Sequence, residues 1–401
     1  MPAVISRRKF LAQAAATTAA AAPAERRLKI VSVKAAALPL LPVSRFGTSK
    51  FTSDFDPARW RWFGPFSQLA GSMLVQIRTE EGITGYGLGG GGGAAVYIIE
   101  HHLRDLLVGA NAGNVELLWE QMFASSSFYG RRGLAIMAIS GIDLALWDIA
   151  GKNAGVPVFR LLGGAAKEKA PAYYTGANID RGLALGFRAF KLPVTLGVTD
   201  GAEGKKRIVA QLTEARKRIG AEALLMIDCL ARWDVPYTLE MADRLAEVRL
   251  HFIEEPLWPD DLDGYARLCR EVRGTRIASG EHEYTRYGFQ ELIRHQAAHI
   301  LQPDLTWSGG LTEGRRIVTL AAARGLPVIP HRGSSLYGIH LVVSSAVCPM
   351  AESFGTGEPG NEVMEAMTPR FENGFYFPPE KPGIGVELSS QMLKRHAPSL
   401  L

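Results

Sequence analysis

The sequence predicts an α/β protein: a (β/α)8-type barrel of the modified TIM kind, with an α+β N-terminal capping domain that the C-terminal tail completes. Three observations predict it. At 401 residues the chain is too long for one ordinary domain, and it suits a barrel of about 250 residues plus a smaller partner. From about Ala170 the pattern alternates strand and helix, with candidate strands at APAYYTG, FRAFKLP, LLMIDC, HFIEEP, RIASGEH, HILQPD, LPVIPH and VCPMAES. Finally, Asp228, Glu254, Glu281, Asp304 and His331 close five successive runs at gaps of 26, 27, 23 and 27 residues, about one strand-plus-helix unit. One polar residue per strand end at that repeat is how a barrel assembles an active site at one mouth.

The predicted units run in order. Residues 1–24 read as a twin-arginine signal: Ser6-Arg7-Arg8-Lys9-Phe10-Leu11, then an Ala-rich run, then Ala22-Pro23-Ala24 as a small-residue cleavage site. The run is too short to span a bilayer stably, so no stable membrane anchor is expected and the destination is the periplasm; the alternative is a cytoplasmic chain with a basic tail. Residues 25–164 form the capping domain, 165–356 the barrel and 357–401 a segment returning to the cap. In the cap, KIVSVKAAALPL alternates like a strand, and SMLVQIRTEEGITGYGLG reads as two strands around a Glu81-Gly82 turn. Residues 42–66 read as a long loop, and Gly89 to Gly93 as a flexible loop near the barrel mouth. Helical spacing covers 96–122 and 133–154, and Asp143 and Asp148 on the second helix read as structural acids of the cap.

Composition narrows the function. Apolar residues make up 47% and charged residues 21%, as in a globular protein with ample core. Removing Arg7, Arg8 and Lys9 takes the net charge from +5 to about +2, and no basic stripe carries interleaved aromatics, so nucleic acid is not an expected partner. Cys229, Cys269 and Cys348 show no zinc or disulfide spacing.

The strand-end residues carry the chemistry. Asp228, Glu254 and Glu281 offer three hard oxygen donors, a set that suits Mg²⁺ with positions left for water and substrate. Asp304 and His331, one unit apart, suit a dyad in which the carboxylate orients the imidazole and leaves its other nitrogen free for a proton. Lys191, in Phe190-Lys191-Leu192-Pro193, is a second base or a cationic substrate contact, its pKa lowered by burial near the metal. His282 is placed to touch substrate or the groups behind it, and Glu352 to donate or accept a proton toward a developing enolate.

With these residues in place, the chain resembles the enolase superfamily in its mandelate racemase-like branch, over nearly all of residues 28–390. IDLALWDIAGKNAGVPVFRLLGG matches the N-terminal signature. LMIDC, FIEEPLWPDDLDGY, SGEHEYTRYGF, LQPDLTWSGGLTE and IPHRGSSLYGIH look most like L-rhamnonate dehydratases. The resemblance implies one Mg²⁺ per active site on Asp228, Glu254 and Glu281, His331 as the base for the proton α to the substrate carboxylate, Asp304 as its partner, and Glu352 as stabiliser of the intermediate. It implies a hydro-lyase of sugar-acid catabolism that turns an L-rhamnonate-like aldonate into a 2-keto-3-deoxy sugar acid, with further copies of the chain as partners in a homo-oligomer. The Lys-x-Lys pair of racemases is here Lys191-Leu192-Pro193, which favours dehydration over racemisation. A racemase or epimerase on the same fold is the alternative, and an exported sugar-acid binding protein on a dead barrel is a more distant one. The chain departs from the dehydratases in having no His in residues 28–66, in offering Arg45, Arg59 and Arg61 as counterparts of one arginine, and in Arg332 beside the base. Arg59 and Arg332 join Lys191 and His282 as expected substrate contacts.

Overall fold

The computed structural model describes residues 28–38, 71–355 and 362–401. The signal segment, the 42–66 loop, and with it Arg45, Arg59 and Arg61, lie outside the described residues.

The cap begins with an antiparallel sheet in the order β1 (Ile30–Ala37), β2 (Met73–Thr79) and β3 (Thr84–Gly89). The expected turn falls at Glu80–Gly82, where Gly82 takes the left-handed φ of +84°. One face of the sheet lies on the helix Leu134–Ala154. The approach is so close that a Cβ at Gly85 would sit 2.2 Å from the Ala145 carbonyl oxygen, and one at Gly87 would sit 1.9 Å from that of Gly141. The alternating glycines of TGYGLG are therefore the packing face of a strand with period two. The glycine run that follows is not a flexible loop. Gly89 ends β3, Gly90 donates to Thr306 O at 3.1 Å, and Gly92 opens the helix Gly92–Ile98. Residues 89–92 are buried, and Met137 with Trp307 and Leu134 leaves Gly89, Gly90 and Gly91 no room for side chains.

The helix Leu134–Ala154 is apolar enough to cross a membrane by length and composition, yet 89% of its apolar window is buried within the protein. Apolar on every side, it is a core helix between the cap sheet and the barrel. Its two acids bridge units instead of serving the cap alone. Asp143 Oδ2 accepts from Thr312 N at 3.0 Å and Oδ1 from Thr312 Oγ1 at 2.5 Å, at the N-terminus of the barrel helix Gly310–Ala322. Asp148 accepts from Tyr86 N, Ile384 N and Lys152 Nζ, tying cap strand, tail and its own helix together.

In the barrel, parallel neighbours run β4 (Ala170–Thr175), β5 (Ala189–Pro193), β6 (Leu224–Asp228), β7 (Phe252–Glu254), β8 (Arg276–Ser279) and β9 (Ile300–Leu301), and β10 (Ala351–Ser353) pairs back onto β4. The strand expected at LPVIPH is reduced to single bridges, Leu301 to Val328 and Asp304 to His331. Pro327 and Pro330 supply no N–H there, so a continuous ladder cannot form. The ring still closes, through Val328 N to Val347 O at 2.9 Å and Ser334 N to Glu352 O at 3.0 Å.

Strand periodicity then sets where chemistry sits. Tyr173, Ala189, Met226, Phe252, Ile300 and Ile329 fill one interior layer. Two residues on, on the same face of each strand, stand Thr175, Lys191, Asp228, Glu254, Gln302 and His331. The apolar layer is the floor and the polar layer the mouth.

The tail does more than return to the cap. The hairpin β11 (Phe371–Glu372) and β12 (Phe375–Tyr376) first adds to the barrel sheet, with Tyr376 opposite Ala170. Gly383 and Ile384 then reach the cap at Val158 and Asp148.

Asp143 is fully buried with no cation against it among the described residues, and burial pushes its carboxyl up to about 7 against the pull of the Thr312 donors. The folded chain thus holds a proton that the unfolded chain releases near 3.8, so this group's contribution to stability is present below about pH 4 and lost as pH rises through about 7. Asp143→Asn stays neutral throughout. Its melting temperature relative to wild type should rise between about pH 5 and pH 8, whereas a constant difference would mean that the carboxyl titrates normally.

Candidate active site

Strand register brings the mouth residues together. Pro193 lies opposite Asp228, Asp228 opposite Glu254, and Asp304 opposite His331. Asp228 and Glu254 end their strands; Glu281 follows β8 after Gly280, whose φ of +128° swings the chain inward at a place where a Cβ would strike Phe289. Oxygen atoms of Asp228, Glu254 and Glu281 lie within 4.8 Å of one another. Glu255, Glu281 and His282 form an overlapping group under the same limit.

This much buried negative charge needs compensation. Lys191 Nζ contacts Glu254 Oε1 and lies 2.7 Å from Glu352 Oε1. Burial alone would lower the Lys191 pKa, but these carboxylates raise it well above the usual value. The contacts with Glu254 and Glu352 thus work against the lowering expected from the sequence. Gln302 Nε2 donates to Glu254 Oε2 at 2.5 Å. Asp228 keeps one donor, Leu230 N at 2.9 Å, and burial pushes its carboxyl up to about 7, with Lys191 opposing and Glu281 adding to the rise. Three clustered hard oxygens still short of positive charge fit a divalent cation such as Mg²⁺.

His331 Nδ1 lies 2.7 Å from Asp304 Oδ2, and Asp304 Oδ1 accepts from both N and Oγ1 of Thr306 at 2.6 Å. With Asp304 ionised, Nδ1 carries the proton and donates it, leaving Nε2 toward the mouth, 3.7 Å from Glu281 and 3.8 Å from Glu352. Burial pulls the His331 pKa down, but Glu281, Glu352 and Asp304 raise it overall. Glu352 also accepts from Thr175 Oγ1 at 2.7 Å and Arg332 N at 3.0 Å. Burial alone would raise its carboxyl, yet Lys191 and His331 hold it down at about 2. It is therefore an anion at neutral pH, an acceptor rather than the donor the sequence also allowed.

His282 Nδ1 meets Glu255 Oε2 at 2.7 Å, and this carboxylate overcomes burial to bring the imidazole up to about 10. Trp307 stands between the two histidines, with ring centroids 5.7 Å from His282 and 5.4 Å from His331. The Arg332 guanidinium lies 5.8 Å from the Trp307 centroid. Lys191, His282 and Arg332 thus reach the same mouth as the carboxylates, while Arg59 falls outside the described residues. Sequence reasoning missed Thr175, Glu255, Gln302 and Trp307. The i+2 alternation would have marked Thr175 and Gln302; Glu255 and Trp307 depend on turns beyond the strands.

Comparison with known proteins agrees with this architecture. Residues 67–163 match the family described as mandelate racemase / muconate lactonizing enzyme, N-terminal domain, and residues 176–392 match the enolase C-terminal domain-like family. The "Putative L-rhamnonate dehydratase" of Caldivirga maquilingensis is 40% identical over 333 residues, 82% of this chain and 83% of that one. The rhamnonate dehydratase of Gibberella zeae, solved with Mg, superposes with a TM-score of 0.82 at 33% identity, covering 94% of this chain and 97% of that one. A racemase from Streptomyces coelicolor with bound magnesium gives 0.76 at 28% identity, with coverages of 91% and 99%. The chain belongs to the enolase superfamily.

The two overlapping acid groups predict different mutants. Mg²⁺ added to EDTA-treated protein at 100 times its Kd should stabilise the fold by about 2.7 kcal/mol. Asp228→Asn should abolish the accompanying melting shift and His282→Asn should keep it; the reverse pattern would place the ion on Glu255, Glu281 and His282.

Proposed function

We propose that this member of the enolase superfamily is a Mg²⁺-dependent acid-sugar dehydratase. In this reading it removes the C2 proton and the C3 hydroxyl of an aldonate of the L-rhamnonate type, leaving a 2-keto-3-deoxy sugar acid. The observation that carries the reading is a single oriented base beside a three-carboxylate group: Nδ1 of His331 is engaged by Asp304, and Nε2 lies 3.7 Å from Glu281. The names of the Caldivirga and Gibberella proteins support the same substrate class.

Asp228, Glu254 and Glu281 would hold the cation. Once bound, it would stabilise the negative charge that gathers on the substrate carboxylate as the C2 proton leaves. The chain's own residues do the proton work. Nε2 of His331 takes the C2 proton, and the C2–H electron pair becomes the C1=C2 bond of an enediolate. Asp304 stabilises the imidazolium and fixes its tautomer. The C3–O bond then breaks, its electrons leaving with oxygen, and the proton on Nε2 goes to that oxygen, which departs as water. The resulting enol takes a solvent proton at C3 and becomes the ketone. Glu352, held as an anion 3.8 Å from Nε2, further favours the charged imidazole.

Lys191 argues for elimination over racemisation. A racemase of this architecture needs a second base on the opposite face of C2. Here Lys191 is locked as a cation between Glu254 and Glu352, and the position two residues on is Pro193. Passage to the periplasm by the twin-arginine route, supported by Ser6 to Leu11, and assembly as a homo-oligomer belong to the same proposal. So do the boundaries at about residues 24, 164 and 356, supported by the onset of β4 at Ala170 and the end of β10 at Ser353.

His331→Asn should lower turnover of L-rhamnonate or its stereoisomers by at least about 10³-fold and abolish C2 exchange in D₂O, while the Mg²⁺-induced melting shift remains. Exchange retained in this variant would assign the base elsewhere.

A further inference from the structure

Four basic side chains stand at this mouth, and three have carboxylate partners. Lys191 is held by Glu254 and Glu352, His331 by Asp304, and His282 by Glu255. Among the described residues, the Arg332 guanidinium has no carboxylate within ion-pairing distance and no hydrogen-bond acceptor. The Arg332 backbone N–H donates to Glu352 Oε2 at 3.0 Å. The side chain is half-buried, with its guanidinium on the Trp307 ring that also borders both histidines.

Backbone geometry adds a second observation. Arg332 has φ +54°, the left-handed region where glycine is the easy residue and a long side chain is strained. A strained non-glycine residue next to a catalytic base points to a functional side chain. The cation is also poised for recognition. The Trp307 ring 5.8 Å away favours a cation, and the planar donor fork of a guanidinium matches carboxylate and phosphate geometry in a two-point contact. A substrate tail of neutral hydroxyls or methyl groups would cover this half-buried cation without giving it a counter-charge, a costly arrangement.

We propose that Arg332 is a specificity-determining residue that binds a second anionic group, a carboxylate or a phosphate, at the end of the sugar acid remote from its reacting carboxylate. This rests on the dehydratase reaction and replaces the L-rhamnonate-type substrate of that reading: the preferred substrates are dianionic acid sugars, either aldarates or phosphorylated aldonates. Trp307 stands beside the guanidinium, and Glu352 holds the strained backbone that presents it.

The test uses the full chain with Mg²⁺ and matched sets of aldonates, aldarates and terminally phosphorylated aldonates, comparing wild type with Arg332→Gly and Arg332→Lys. Glycine suits a φ of +54°, so Arg332→Gly should melt no lower than wild type. Wild type should favour one dianionic class over its matched aldonate by at least about tenfold in kcat/KM. Arg332→Gly should erase that preference, mainly through KM, with Arg332→Lys in between. Preference for the aldarate identifies the group as a carboxylate, and preference for the phosphorylated acid identifies it as a phosphate. Wild type favouring aldonates, or a preference unchanged in Arg332→Gly, overturns the inference and leaves the dehydratase reading standing. A binding arm reads Arg332 independently of turnover: glucarate or 6-phosphogluconate should raise the wild-type melting temperature more than gluconate does, and the difference should vanish in Arg332→Gly. Equal shifts in wild type overturn the inference. Failure of every acid sugar to give a 2-keto-3-deoxy product overturns the dehydratase reading instead.

Discussion

Negative charge crowded at one barrel mouth is the constraint on which the rest of this structure depends. Asp228, Glu254, Glu255, Glu281, Asp304 and Glu352 converge there, most of them withdrawn from water. Buried carboxylates at such spacing cannot all ionise without cations among them. Lys191 answers for Glu254 and Glu352 and His282 for Glu255, while His331 gives Asp304 an Nδ1 hydrogen bond, which leaves the Asp228, Glu254 and Glu281 corner short of positive charge. The same balance assigns roles. A lysine so paired is held toward its charged form, and a histidine held by one carboxylate can offer its far nitrogen to a substrate.

Two packing relations present this charge to a ligand. Within the barrel, the two-residue period lifts each polar side chain one layer above an apolar floor of Tyr173, Met226, Phe252, Ile300 and Ile329. From outside, the cap holds the loop that follows Asp304. Gly90 bonds Thr306, Ser140 and Trp119 bond Gly309, and Asp143 bonds Thr312. Thr306 in turn donates twice to Asp304. The orientation of the dyad is therefore a property of both units, and the glycine face of β3 is what lets the cap come close enough.

Most of this was legible in the sequence because barrel strands repeat at a nearly constant interval and place one polar residue at each end. The triad, the dyad, Lys191 and Glu352 all follow from that repeat. What was not legible depends on contacts between distant segments. Pro327 and Pro330 sit in an apolar run that reads as a strand, but their missing donors reduce it to two bridges. The glycine run looks flexible until Trp307 and the long cap helix fill the space beside Gly89, Gly90 and Gly91. Glu255 and Trp307 enter the mouth through turns after the strands, where period-two reasoning stops. The two carboxylates that face Lys191, which work against the lowering expected from burial near the metal, lie on strands distant in sequence. The hairpin at Phe371–Tyr376 is too short to carry a pattern of its own.

The central claim is elimination by one base acting on one face of the substrate, and proton NMR of the reaction in D₂O tests it most directly. The account predicts a 2-keto-3-deoxy product carrying deuterium from solvent at C3, formed only when Mg²⁺ is present. Recovery of substrate deuterated at C2 with inverted configuration, and no keto product, would contradict it and make the protein a racemase.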